Sequence, residues 1–359
     1  MHMEKVNKAV AFLKDLGLSQ MLVSDPAAIF YMTGRWIHPG ERFLALCIGE
    51  GKAPVLVLNE LFQFQEDIGI EKRYIKDTDD ITEVLKGIVD PEETLGIDKT
   101  MQARFLLAMM EHHTAKAFQN GSFAVDRARA IKDAGEQEKM IKASKINDAA
   151  MAQFKTLVRD GVTEKEIADQ MLGIYQSLGA TDHSFPPIVS FGNHASDPHH
   201  EPDDTALKEG DIVLFDVGCV YENYCSDMTR TFFWKNEPTQ EERTIYNIVR
   251  RANEEAEAML RPGIPLCSID KKARDIITEA GYGPYFTHRL GHFIGIEDHE
   301  YGDVSSAFSN LTEAGNTFSI EPGIYLPGGP GTRIEDLVLI TKDGYRRLND
   351  YPKDIEVLG

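Results

Sequence analysis

A chain of 359 residues with 38 basic and 58 acidic side chains, net charge −20, is long enough for two domains, and its sign argues against nucleic acid or an anionic membrane surface as partner. Its 42% hydrophobic and 27% charged residues suit a soluble globular protein, and no apolar run approaches the roughly 18 residues of a membrane span. Cys47, Cys219, Cys225 and Cys267 form no CxxC pair and follow no signal peptide, so reduced thiols in a cytoplasmic protein are expected.

Val6, Ala9, Val10, Leu13 and Leu16 recur at helical spacing, and Gly17 is placed to end that helix. MLVS reads as a strand, FLALCI and PVLVL as hairpin arms about residues 49–52, and LGID before Lys99 as another short strand. This predicts a small α/β domain over residues 1–125. Residues 128–161 then read as one long amphipathic helix stopped at Gly161, opening a second domain over residues 126–359. Two capping boxes, Thr163 with Glu166 and Thr239 with Glu242, announce further helices.

The second domain repeats itself. GDIVLFDVG from Gly210 and GNTFSIEPG from Gly315 share glycine, alternating apolar residues, an acid and a second glycine at an offset of 105 residues. Upstream, Arg159, Gly161 and Val162 before a polar helix ending near Gly179 are echoed by Arg261, Gly263 and Ile264 before one ending near Gly281, at an offset of 102. Two related halves, each helix then strands, are expected to pack about an approximate two-fold axis with their acids converging.

Those acids interrupt strands too apolar to solvate them. A bare carboxylate at Asp216 or Glu321, among Ile, Val, Leu and Phe, costs several kcal/mol unless paired or metal-bound. DIVLFDVG and YCSDMTRTFF alternate like hairpin arms turning at residues 221–223, which places Asp227 opposite or diagonal to Asp216. Glu335 is a further acid in an apolar strand, and His292 supplies the only nitrogen. Arg230 and Arg333 are too few to pair four acids. The set is hard and oxygen-rich, suited to two divalent ions, manganese first, with cobalt, zinc or iron as alternatives. Two such ions about 3.5–4 Å apart can hold a bridging hydroxide and polarise a carbonyl, which is amide hydrolysis. His199 and His299 could bind substrate, steady a tetrahedral intermediate or relay a proton, and either could equally be a surface residue. Cys219 and Cys225 flank the hairpin and are read as core. Arg42 and His38 lie in the loop IHPGER, where a solvated charge is the plainer reading.

DVGCVYENYCSDMTRTF, HRLGHFIGIEDHE, EPGIY and GTRIED, in that order and spacing, resemble the metal-dependent peptidases of the pita-bread fold, family M24, nearest the Xaa-Pro dipeptidase (prolidase) branch. The likeness extends to the preceding α/β domain and so covers the chain. It implies an α+β architecture: a creatinase/prolidase-type N-terminal domain followed by a pseudo-two-fold catalytic domain. It also implies that Asp216 chelates one metal, that Asp227 and Glu335 bridge both, that His292 and Glu321 hold the second, and that His199, His299 and Arg333 line the active site. His288, four residues before His292, could masquerade as the ligand; the resemblance favours His292 and leaves His288 to the substrate pocket. Phe293 stands where relatives often carry glycine. The activity implied is hydrolysis of Xaa-Pro dipeptides by a homodimer, with Arg289 and Arg42 as candidate readers of the proline carboxylate. An aminopeptidase P acting on longer peptides is the nearest rival, and a metal-free peptide-binding or creatinase-like relative is the alternative of a different class.

Overall fold

Val6, Ala9 and Leu13 form the buried stripe of the first helix, Met3–Asp15, and Gly17 beyond it takes φ +69°, a conformation that costs glycine nothing. A computed structural model describes residues 1–359 and separates two units, Met1–Arg129 and Ala130–Gly359. The first unit is a six-stranded sheet in the order Glu71–Ile75, Val55–Asn59, Leu44–Gly49, Gln20–Val23, Thr94–Ile97, Ala117–Asn120. Gln20–Val23 and Leu44–Gly49 are buried at every position, which is why they read as continuous apolar runs rather than alternating ones. The expected hairpin forms in the register Leu44↔Leu58 to Cys47↔Val55, and the LGID strand pairs parallel to Gln20–Val23.

The single long helix expected over residues 128–161 is not one helix. Ser122–Ala130 ends, three residues intervene, and Ala134–Phe154 begins on a capping box in which Asp133 and Glu136 satisfy each other's backbone amides. Apolar periodicity runs through the break, so only the cap signals it. In the interval the Lys132 amide donates to Gly315 O, and the Lys132 ammonium is buried against Glu300 at 3.0 Å.

In the second unit the duplication is visible residue by residue. Helices Glu164–Ser177 and Leu266–Glu279 are each 14 residues long and begin 102 residues apart. The glycine pairs Gly161/Gly263, Gly179/Gly281 and Gly210/Gly315 all hold φ between +68° and +97°. The isolated bridge Thr163↔Ala206 recurs as Pro265↔Leu311. Strand neighbours Ile188–Phe191, Ile212–Val217 and Met228–Trp234 are matched by Gly291–Phe293, Thr317–Ile320 and Asp336–Ile340. In each half a long helix pins the acid-bearing strand through a buried asparagine: Asn147 Nδ2 donates to Val217 O, and Asn253 Nδ2 to Ile320 O, both at 2.8 Å. Two buried clusters form the core: Phe154, Met171, Tyr175 and Phe215 lie in one, and Val249, Ile269, Ile276 and Phe318 of the second half lie in the other together with Ile212, Leu214 and Phe233 of the first.

Candidate metal centre

The first two acids come from one hairpin. Glu222 and Asn223, at φ +47° and +67°, form the two-residue turn that matches the right-handed twist of its arms. Registry then pairs Asp216 with Thr229, so Asp227 lies diagonally across from Asp216, just before its strand starts. The second half repeats this. Ile320 pairs with Asp336, and Glu321 and Glu335 flank that pair on outgoing and returning arms. His292 enters from the neighbouring strand Gly291–Phe293, where its amide donates to Ser319 Oγ at 3.0 Å.

All five residues converge. His292 Nε2 is 3.5 Å from Asp227 Oδ2 and 3.5 Å from Glu321 Oε1, and donor atoms of Asp227, His292 and Glu335 lie within 4.8 Å of one another. The His292 Nδ1–H points at Phe293 O, 3.3 Å away, which leaves the Nε2 lone pair facing the carboxylates. A cation between Nε2 and these carboxyl groups would be held by all of them. Asp216 Oδ1, Asp227 Oδ1 and Glu335 Oε1 are buried without any hydrogen-bond partner. Three carboxyl oxygens without a partner, gathered beside one imidazole nitrogen, fit divalent ions. Arg333 reaches only Asp216, at 2.5 Å, while Arg230 is committed to Asp336 Oδ1 and to backbone carbonyls, Glu335 O among them.

Burial, and then the neighbouring carboxylate of Asp216, pushes Asp227 well above the ordinary range; Glu335 is raised likewise by burial and by Asp227 and Glu321. Burial raises Glu321 to about 7. Near neutral pH the metal-free cluster therefore retains protons that cation binding must displace. Metal titration at pH 6–7 is expected to release protons, and affinity to strengthen as pH rises through about 7. Calorimetry in buffers of different ionisation enthalpy reads this directly; a proton count of zero would contradict the electrostatics described.

The supporting residues line one cavity of about 580 Å³ with the four acids and the imidazole. His199, His288, Arg289, His299 and Arg333 all face it. The His299 ring lies 4.0 Å from that of His292, and burial together with His292 lowers its pKa to about 4. Burial, then Arg333, lowers His288 to about 4 as well, so both imidazoles are neutral at pH 7. His288 Nδ1 donates to Arg289 O at 2.7 Å and its Nε2 accepts from Tyr325 OH at 2.9 Å, while that hydroxyl accepts from Arg333 at 3.0 Å. Arg289 is ion-paired with Asp303. Arg42 belongs to the first unit, where Asp77 holds it through two nitrogens at 2.8 and 3.2 Å. His38 there stacks on Trp36.

Sequence reasoning passed over several residues of the site. Thr229 Oγ donates to Glu335 at 2.7 Å and accepts from Arg333, and Ser319 Oγ donates to Glu321 at 3.1 Å. Both were findable: Thr229 lies two residues after Asp227 and Ser319 two before Glu321, the spacing that keeps strand residues on one face. Tyr325, in EPGIY, carried no such periodic signal. Phe185, Pro186, Pro187, Pro198 and Pro202 give the cavity an apolar wall that arises from the two segments on either side of residues 188–197.

Residues 138–342 match metallopeptidase family M24, and residues 5–131 match the creatinase/prolidase N-terminal domain. An uncharacterised peptidase of Staphylococcus aureus is 38% identical, covering 98% of this chain and all of its own. The crystal structure of the prolidase from Pyrococcus horikoshii superposes with TM-score 0.89 at 31% identity, covering 98% of this chain and 99% of that one. That of an X-Pro aminopeptidase from Thermotoga maritima gives TM-score 0.81 at 30% identity, over 96% and 99%. The chain belongs to metallopeptidase family M24, with a creatinase/prolidase-type N-terminal domain ahead of the pita-bread domain. No helix is long and apolar enough to cross a membrane.

Proposed function

We propose that this protein is a dinuclear Xaa-Pro dipeptidase. The observation that carries the reading is the cluster of Asp216, Asp227, His292, Glu321 and Glu335, with orphaned oxygens at its centre, beside an apolar wall suited to a proline ring. Asp216 would hold one divalent ion, Asp227 and Glu335 both, and His292 with Glu321 the second, manganese being the first candidate. Such ions supply a water acidified to a nucleophile near neutral pH and a Lewis acid for the scissile carbonyl. His199 and His299 offer hydrogen bonds to the oxygen on which charge develops and a route for the proton to the leaving amine. The Arg333–Tyr325–His288 chain fixes the far side, since Tyr325, raised to about 12 by burial, keeps its proton at all working pH values. Residues 126–359 carry this chemistry and residues 1–125 form its accessory domain, in a cytoplasmic homodimer.

A bond to proline has no N–H for strand-like pairing, so recognition falls to pocket shape and the substrate's termini. Arg289, at the cavity and shared with Asp303, is the candidate cation for the proline carboxylate; Arg42, already held by Asp77, is the second. Xaa-Pro dipeptides are expected to exceed Xaa-Pro-Xaa tripeptides by at least about tenfold in kcat/KM, roughly 1.4 kcal/mol. Amidating the carboxylate is expected to cost a similar factor, and Arg289→Ala to erase it. Equal turnover of dipeptide, amide and tripeptide would instead favour an aminopeptidase P, the activity named for the Thermotoga relative.

A further inference from the structure

A second group of possible metal ligands lies beside the cavity: Glu164, His194, His200 and Asp203. Glu164 opens the helix Glu164–Ser177 and its side chain is 0% exposed. Its Oε1 accepts from the Phe191 amide at 2.7 Å and His194 Nδ1 at 2.9 Å; its Oε2 accepts from His200 Nε2 at 2.7 Å and the Asp203 amide at 3.2 Å. Four donors meet the four lone pairs of one carboxylate, at a helix N-terminus that favours its charge. Neither of its oxygens is left without a partner, unlike one oxygen each of Asp216, Asp227 and Glu335. That difference separates a cluster that asks for a cation from one already neutralised by hydrogen bonds.

What this carboxylate ties down is the loop of residues 191–203. His194 and His200 pack with ring centroids 4.1 Å apart at a 38° tilt, and between them in the chain lie Pro198, whose carbonyl accepts from Arg333, and His199, whose amide is turned by Asp197. The loop also presses on the strand Gly331–Arg333 closely enough that a Cβ at Gly331 would fall 1.9 Å from Ala195 O. We propose that Glu164 is a positioning residue which, through His194, His200 and two backbone amides, fixes this loop so that His199 faces the reacting groups. This inference rests on the dipeptidase reading for its consequence in turnover, and not for the loop anchoring itself.

Glu164→Gln preserves shape but offers two acceptor lone pairs in place of four. In the metal-loaded full-length protein it is expected to lower kcat by about tenfold or more, as loss of an orienting partner does, with KM within about twofold and bound metal unchanged. Because it acts through His199, it is expected to cost less than about twofold in a His199→Ala background. Amide exchange across residues 191–203 is expected to speed up, at Phe191 and Asp203 first. Additive losses in the double variant, or unaltered exchange, would overturn the proposal. So would a further equivalent of divalent ion bound by the native protein and lost in Glu164→Gln, which would mark a third metal site. Should Glu164→Gln fail to fold, His194→Gln, on the more exposed side of the cluster, is expected to shift exchange and kcat in the same sense; no change in either would also overturn it. If the native protein turns over no Xaa-Pro substrate, the dipeptidase reading falls, while exchange in the variants still decides whether Glu164 anchors the loop.

Discussion

Exhaustive chelation is expected to reduce hydrolysis of every Xaa-Pro substrate to background, and added Mn²⁺, Co²⁺ or Zn²⁺ to restore it. The reason lies in what the cavity lacks as a protein nucleophile. Cys219 is buried with its thiol against Ala143 O and raised to about 12, and burial raises Cys225, whose thiol meets Ile296 O, well above the thiol range. Neither yields a thiolate near pH 7. Ser226 spends its hydroxyl on Cys219. A group that binds only the folded state also stabilises it, by about 4 kcal/mol at a thousandfold excess over its dissociation constant, so stripped protein should melt lower. Turnover persisting in protein shown metal-free by elemental analysis would defeat the mechanism.

Single ligand replacements come next in size. Asp216→Ala, Glu321→Ala and Glu335→Ala are each expected to lower kcat by about a thousandfold or more, roughly 4 kcal/mol of transition-state stabilisation, because the ligands act as a unit. Near-native kcat with two ions still bound would show the ligand set to be wrong. Stability of the stripped protein should move the other way. Glu335 is 1% exposed, and its folded-state pKa lies above the unfolded value, so its penalty is absent below about 4.5 and grows as pH rises. Glu335→Gln therefore should raise the melting temperature of metal-free protein at pH 8 and leave it unchanged near pH 4, while abolishing activity at both. Thermal melts at the two pH values test this; a destabilised metal-free variant at pH 8 would mean that the carboxylate is held by something other than a cation.

The parts of the site legible in the sequence are those where chemistry conflicts with context. Asp216 and Glu321 stand out because acids do not belong in IVLFDVG and TFSIEPG, and the repeat makes the anomaly a pair. The structure brings them together with Asp227, His292 and Glu335. Glu164 escaped notice because a glutamate at the first turn of a helix is ordinary; its meaning depends on His194 and His200, which reach it only through loop geometry. Pocket walls such as Phe185 and Pro202 are invisible for the same reason. The break at residues 131–133 was missed because periodicity survives a three-residue interruption, whereas a cap needs the side-chain geometry of Asp133 and Glu136 to be recognised.

The duplication distributes the acids evenly: Asp216 and Asp227 belong to the first half of the unit, Glu321 and Glu335 to the second, each half giving one from its outgoing and one from its returning arm. The arms of either half alone bring only two carboxylates near one another. Four meet only when the halves dock. Counter-charge is thus demanded late in assembly, and dissolved divalent ions are expected to accelerate the final docking step of refolding while leaving the formation of each half unaffected.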